Sequence, residues 1–201
     1  DKSAAKLLQN YGSIEVIDRN SIDPSKITFA NIWGVCDGDM FAKSLEVFDK
    51  NAAKGKPFFA QIMTTSNHRP YTYPEGKIKF DSDPHCREAA VKYTDYAIGK
   101  FIADAAKKPW FKNTIFVVIA DHCASSAGST SLPIDKYHIP CVVYAPSFVQ
   151  PKVVSTLCSQ IDIMPTILSM LQLPIKVQFA GQNIFSPCFH GYLSGSWLFR
   201  E

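Results

Sequence analysis

Asp121 and His122 follow directly on the apolar run TIFVVIA, residues 114–120. A carboxylate beside an imidazole offers one hard and one borderline donor. That pair suits a divalent ion such as zinc or manganese. Two adjacent donors just past a strand can both turn inward, because the chain leaves the pleat there. The dipeptide alone also fits a strand end capped by polar groups, and two donors fall short of the four that a zinc site ordinarily uses. His68, in SNHRPY, offers an imidazole that can bond a phosphoryl oxygen or move a proton; a loop histidine bonded to backbone is the alternative. His138, in KYHIP, stands before another apolar run with the same two readings. His85, among Asp, Pro and Arg, and His190, near the end, read as solvated surface residues.

The elements that must position these residues alternate along the chain. Residues 39–53 have Phe41, Leu45 and Phe48 at three- and four-residue steps, with Asp39 as an N-cap, which predicts a helix. Gly55 and Pro57 break it. Residues 58–65 form a mostly apolar run of strand length, suited to a strand buried on both faces, that ends at Ser66-Asn67-His68. Residues 88–106 predict a second long helix, with Ala90, Tyr93, Ala97, Phe101 and Ala105 on one face. Residues 114–120 and 139–144 predict two more strands, and Cys141 in the latter reads as a buried thiol. A helix over 162–171 starts at Asp162, with Pro165 tolerated in its first turn. Helices alternating with apolar strands imply an α/β fold with a largely parallel sheet flanked by helices. Ligands in such sheets bind beyond the carboxyl ends of the strands. His68, Asp121 and His122 are therefore expected at one rim, with His138 nearby.

Composition narrows the classes. The chain has 201 residues, 46% of them hydrophobic and 19% charged, as globular chains do. The formal net charge is +3, and no Lys/Arg stripe forms, which argues against a nucleic-acid partner. No stretch of about 18 apolar residues predicts a membrane span. The six cysteines include no CxxC pair and no zinc-finger spacing, and the sequence does not choose among their pairings.

Five segments together resemble a known family. PFFAQIMTTSNHRPY, residues 57–71, is similar to the strand-plus-histidine motif of lipoteichoic acid synthase-like phosphoglycerol transferases. These belong to the sulfatase family of the alkaline phosphatase superfamily. NTIFVVIADHCASS, residues 113–126, resembles the family's Asp-His metal motif. KYHIPCVVYAP and SQIDIMPTIL are similar to the strand and helix that follow it, and WGVCDGDMF resembles a segment upstream. The motifs run in the expected order across residues 31–171.

The resemblance implies an alkaline phosphatase/sulfatase-like α/β domain, of which residues 1–201 would be the C-terminal portion. Asp121 and His122 would ligate a catalytic divalent cation, manganese first, with magnesium or zinc as alternatives. His68 and His138 would bind the transferred phospho group. The family's nucleophile is a threonine on an N-terminal stretch, and no segment here matches it, so the domain is expected to be incomplete and the chain inactive by itself. The intact parent would act outside the cytoplasm, held by N-terminal transmembrane helices. It would move a phosphoglycerol group from an anionic phospholipid head group to a glycolipid or glycan acceptor. Sulfate-ester hydrolysis on the same fold, and a non-catalytic lipid- or partner-binding module, are the rival expectations.

Overall fold

The computed structural model describes residues 14–123, 137–173 and 178–186. The chain divides into two compact units, Asp1–Val149 and Gln150–Glu201.

In the first unit, α1 spans Asp37–Ala52 and α2 spans Arg87–Ala105. Asp37 and Asp39 in the first turn of α1 and Lys50 in its last complement the helix dipole. Its N-cap is Cys36, three residues before the expected Asp39. Asp39 turns back instead: Thr28 N–H (2.7 Å) and Phe29 N–H (3.2 Å) both donate to its Oδ2. Gly55, at φ 67°, ends the following turn where a left-handed backbone favours glycine.

Five buried positions of α2 (Ala89, Tyr93, Ala97, Phe101, Ala105) fall every fourth residue, and Ala90 and Thr94 beside them widen the stripe that faces inward. Its alanines let α1 approach closely. Phe41 stacks on Phe101 at 4.8 Å, and Phe48 meets both Phe101 and Trp110 edge-on. Phe116 closes this core, and Ile62 packs against it. Truncating Phe101 to alanine would cost about 3–5 kcal/mol through the cavity left behind. Lys108 Nζ (2.6 Å) and Trp110 Nε1 (2.8 Å) both donate to Asp49, which ties the end of α1 to the turn after α2.

The sheet differs from expectation. Strands β1 (Phe116–Ile119) and β2 (Cys141–Tyr144) pair antiparallel, Phe116 against Tyr144 and Ile119 against Cys141. An apolar run does not specify direction, and the stretch between the strands is long enough for a hairpin or a crossover. Of TIFVVIA only Phe116 is buried, and Cys141 is exposed rather than packed inside. Residues 58–65 form no strand and join no ladder among the described residues. Ile62 faces the core while Phe59 and Met63 are 78% and 73% exposed, so this run is covered on one face only.

In the second unit, a 3-10 turn (Gln160–Asp162) leads into α3 (Ile163–Met170). Asp162 is buried and accepts from Ser159 N–H and Gln182 N–H, both at 2.8 Å. Thr166 Oγ1 donates to the Asp162 carbonyl oxygen (2.6 Å) and accepts from Ile184 N–H (3.0 Å). Asp162 and Thr166 thus clasp residues 182–184 onto α3. The clasp brings Gly181 so close that a Cβ there would lie 2.0 Å from the Ile161 carbonyl oxygen.

Candidate functional site

The antiparallel ladder decides where three of the four candidate residues sit. Asp121 and His122 leave the carboxyl end of β1, and His138 precedes the amino end of β2. In a parallel pair those ends lie apart; in an antiparallel pair they are the same end. Two bonds beyond the strands extend the contact. Ala120 N–H donates to the Pro140 carbonyl (3.4 Å), and the Cys123 thiol donates to the His138 carbonyl (3.3 Å).

At this rim the Asp121 and His122 side chains are 87% and 66% exposed. His122 N–H donates to Asp121 Oδ1 (2.9 Å), which folds the carboxyl group against its neighbour. His122 Nδ1 lies 2.8 Å from the Cys123 carbonyl oxygen. A carbonyl only accepts, so Nδ1 carries the proton, and Nε2 of the neutral ring has its lone pair available. A histidine that binds a metal through Nε2 is ordinarily oriented by this kind of bond from its other nitrogen.

Asp121 Oδ2 and His122 Nε2 are 3.5 Å apart, longer than an ordinary hydrogen bond. Neighbouring donors around a tetrahedral ion with bonds of about 2.0–2.1 Å stand roughly 3.3 Å apart. The pair therefore fits as two ligands of one cation. Among the described residues no group of three or more His, Cys, Asp or Glu is arranged to hold an ion.

His68 is built on a different turn. The Thr65 carbonyl accepts from His68 N–H (3.1 Å), and the His68 carbonyl accepts from Tyr71 N–H (2.8 Å). Its Nδ1 lies 3.0 Å from the Arg69 carbonyl oxygen, so by the same argument Nε2 is the nitrogen left for a ligand. Its ring leans on Trp33 with centroids 4.1 Å apart, and Trp33 Nε1 donates to the same Arg69 carbonyl (2.7 Å).

Two residues that reading the sequence missed organise this turn. Trp33 is one. Asp37, fully buried, is the other: its Oδ1 accepts from Thr65 N–H (2.8 Å) and Ser66 N–H (3.0 Å), and its Oδ2 from the Thr94 hydroxyl (2.7 Å). Both stand in WGVCDGDMF, but helix spacing drew attention to Asp39. Beside them, burial pushes the Tyr93 phenol far above its usual range and raises the Cys36 thiol, so both stay neutral next to the Asp37 carboxyl. Tyr93 then accepts from Gly38 N–H (3.3 Å).

The structure thus joins Asp121, His122 and the His138 segment at one ladder end, and holds His68 on the Trp33–Asp37 side. His85 is exposed beside Asp83, and His190 lies outside the described residues. A surface concavity of about 440 Å³, lined by Glu15, Ile17, Lys43 and Lys50 among others, contains none of the candidate residues.

The sulfatase family pattern matches residues 5–173 of the chain. The chain belongs to the sulfatase family. The motif resemblance is borne out by relatives as well. A phosphoglycerol transferase I of Citrobacter koseri is 31% identical over 107 residues, covering 51% of this chain and 14% of the relative. Its counterpart in Escherichia coli O139:H28 is 30% identical over 119 residues, covering 57% and 15%.

Two solved structures share the fold. An alkaline phosphatase superfamily protein from Vibrio parahaemolyticus superposes with a TM-score of 0.77 at 38% identity, over 84% of this chain and 41% of that one. The lipoteichoic acid synthase LtaP of Listeria monocytogenes superposes with a TM-score of 0.75 at 21% identity, over 90% and 49%. The α/β class and the alkaline phosphatase-like architecture expected from sequence therefore stand, although the ladder within this chain is antiparallel. The chain spans about a seventh of the length of the curated relatives and under half of the solved ones. Among the described residues no helix is long and apolar enough to cross a membrane.

Proposed function

We propose that this chain carries part of the site of a metal-dependent phosphoglycerol transferase that acts on lipid head groups outside the cytoplasm. The observation that carries this reading is the rim after β1, where two donors stand at ligand spacing and a backbone carbonyl fixes the His122 tautomer. The relatives named phosphoglycerol transferase I support the choice of reaction.

On this reading Asp121 and His122 would hold the divalent cation, manganese first and magnesium or zinc otherwise. Such an ion, when bound, supplies positive charge to phosphoryl oxygens and lowers the pKa of a nearby hydroxyl. His68, with Nδ1 committed to the Arg69 carbonyl, presents Nε2 to an oxygen of the transferred group, and in its protonated form donates to it. His138 serves the same group from the β2 side.

The nucleophile, a threonine hydroxyl, and the remaining ligands come from sequence beyond these 201 residues. The threonine oxygen bonds to phosphorus as the bond to the lipid's alcohol breaks, and that alcohol leaves with a proton. A glycolipid or glycan hydroxyl then displaces the threonine oxygen, which recovers its proton.

The test takes the complete open reading frame that encodes this chain and measures release of diacylglycerol from phosphatidylglycerol vesicles with manganese. Asp121→Ala and His122→Ala should each abolish it. Turnover of p-nitrophenyl sulfate in its place would favour the sulfate-ester hydrolase. Absence of both activities together with absence of metal binding would favour a non-catalytic lipid-binding module.

A further inference from the structure

We infer that Asp37 is a positioning residue for His68: it fixes the turn that orients the imidazole, without touching the ligand itself. The inference rests on the reading that His68 holds the transferred phospho group.

The chain of contacts is short and complete. Asp37 occupies the first turn of α1 and is fully buried. One of its oxygens takes two consecutive backbone N–H groups, those of Thr65 and Ser66, which sets the plane in which the chain leaves the 58–65 run. The bonding is reciprocal, because Asp37 N–H donates to Ser66 Oγ (3.1 Å). Thr65 Oγ1 adds a bond to the Val35 carbonyl (3.1 Å), two residues upstream of Asp37. The other Asp37 oxygen is held by Thr94 on α2, so the carboxyl group itself has little freedom to rotate.

From Thr65 the constraint passes on through the carbonyl groups of the turn. The Thr65 carbonyl takes His68 N–H, and the Arg69 carbonyl takes both His68 Nδ1–H and Trp33 Nε1–H. Trp33 and Asp37 are four residues apart and grip the turn at its two ends. A carboxyl that served only the core would not need to bond the two residues that open the histidine turn. Side chains held this way keep a binding group in register at no cost when the ligand arrives.

The imidazole tautomer reports this arrangement directly. In the 201-residue chain, nitrogen-15 spectra of the neutral His68 ring should show a single Nδ1–H tautomer, and its ring protons should show cross-peaks to Trp33. Asp37→Asn keeps the oxygen that faces Thr65 and Ser66 and should preserve both signals. Asp37→Ala should lose both: a mixture of tautomers and no Trp33 cross-peaks, while the Phe41 and Phe101 ring signals stay in place.

If Asp37→Ala fails to fold, Ser66→Ala is the second variant. It removes one bond between Asp37 and the turn, and it should give a partial tautomer mixture with the core signals unchanged. Unaltered His68 signals in a folded Asp37→Ala, or in Ser66→Ala where the former unfolds, would overturn the inference. So would loss of the signals in Asp37→Asn equal to that in Asp37→Ala. A separate titration of the wild-type chain with glycerol phosphate keeps the two readings apart. No response at His68 would remove its assigned ligand role, whereas the tautomer comparison still decides whether Asp37 sets its geometry.

Discussion

The two segments that carry the candidate chemistry differ in what holds them and in how far their side chains stand in solvent. The His68 turn is fastened from a distance, by a buried carboxyl 28 residues upstream of Thr65 and by an indole 36 residues upstream of Arg69. At the rim, Asp121 Oδ1 and His122 Nδ1 bond backbone groups next to them in sequence and both side chains stand largely in solvent, while Ala120 and Cys123 on either side bond across to the β2 segment. The difference matches what each is proposed to bind. A phosphoryl group is held by hydrogen bonds whose directions must exist beforehand. A cation draws its ligands in with its own charge, so a half-ordered pair suffices until it arrives.

The sharpest break in the comparison is Asp37→Ala. It strands Thr65 and Ser66 N–H groups in a buried setting, at about 1–3 kcal/mol for each unsatisfied group. A net loss of about 3 kcal/mol should lower the melting temperature by roughly 6–12 °C in a chain of this size. Scanning calorimetry checks it; a shift below a degree would mean that water replaces the carboxyl.

Trp33→Ala removes a half-exposed indole and its bond to Arg69, and should cost about 1 kcal/mol in urea unfolding.

Asp49 supplies a control remote from both segments. The Lys108 ammonium, and then the Trp110 indole N–H, hold its carboxyl below the ordinary 3.8. A carboxyl lowered in the folded state stabilises it above the unfolded value, and the gain is lost as pH falls through the folded one. The urea midpoint of the wild type should therefore exceed that of Asp49→Asn above pH 3.8, and the gap should close as pH drops below it. The pair is about two-fifths exposed at Asp49, so screening limits the gap to about 0.5 kcal/mol. His68 signals should not respond.

Smallest on stability are Asp121→Ala and His122→Ala, each within about 0.5 kcal/mol of wild type because little is buried there. Calorimetric titration of the 201-residue chain with manganese should show weak binding that either change removes. Tight binding that survives both would place the ion elsewhere.

What the sequence made legible follows the reach of its signals. Helices were found to within two residues because Phe41, Leu45 and Phe48, or Ala97, Phe101 and Ala105, repeat at helical spacing, which is a local property. Strand direction is not local. Val117 and Val143 pair antiparallel through a choice that neither run encodes, and the position of His138 beside Cys123 depends on it. Asp39 and Asp37 look alike in sequence, two acidic residues at a helix start. Only the fold separates the one that reaches Thr28 from the one that vanishes beneath Thr65 and Thr94. The apolar Phe59 and Met63 predict a run 58–65 covered on both faces, yet both are exposed, because apolarity alone cannot name what would cover them.

At Gly181 the fold leaves no room for a side chain. With the Ile161 carbonyl oxygen 2.0 Å from where a Cβ would stand, and the Asp162 nitrogen at 2.8 Å, the obstruction is main chain, which cannot step aside as a flexible side chain does. In terms of mutational tolerance, position 181 accepts one letter of the twenty. A saturation library selected for folding of residues 150–186 should return glycine there, and varied residues at its neighbours.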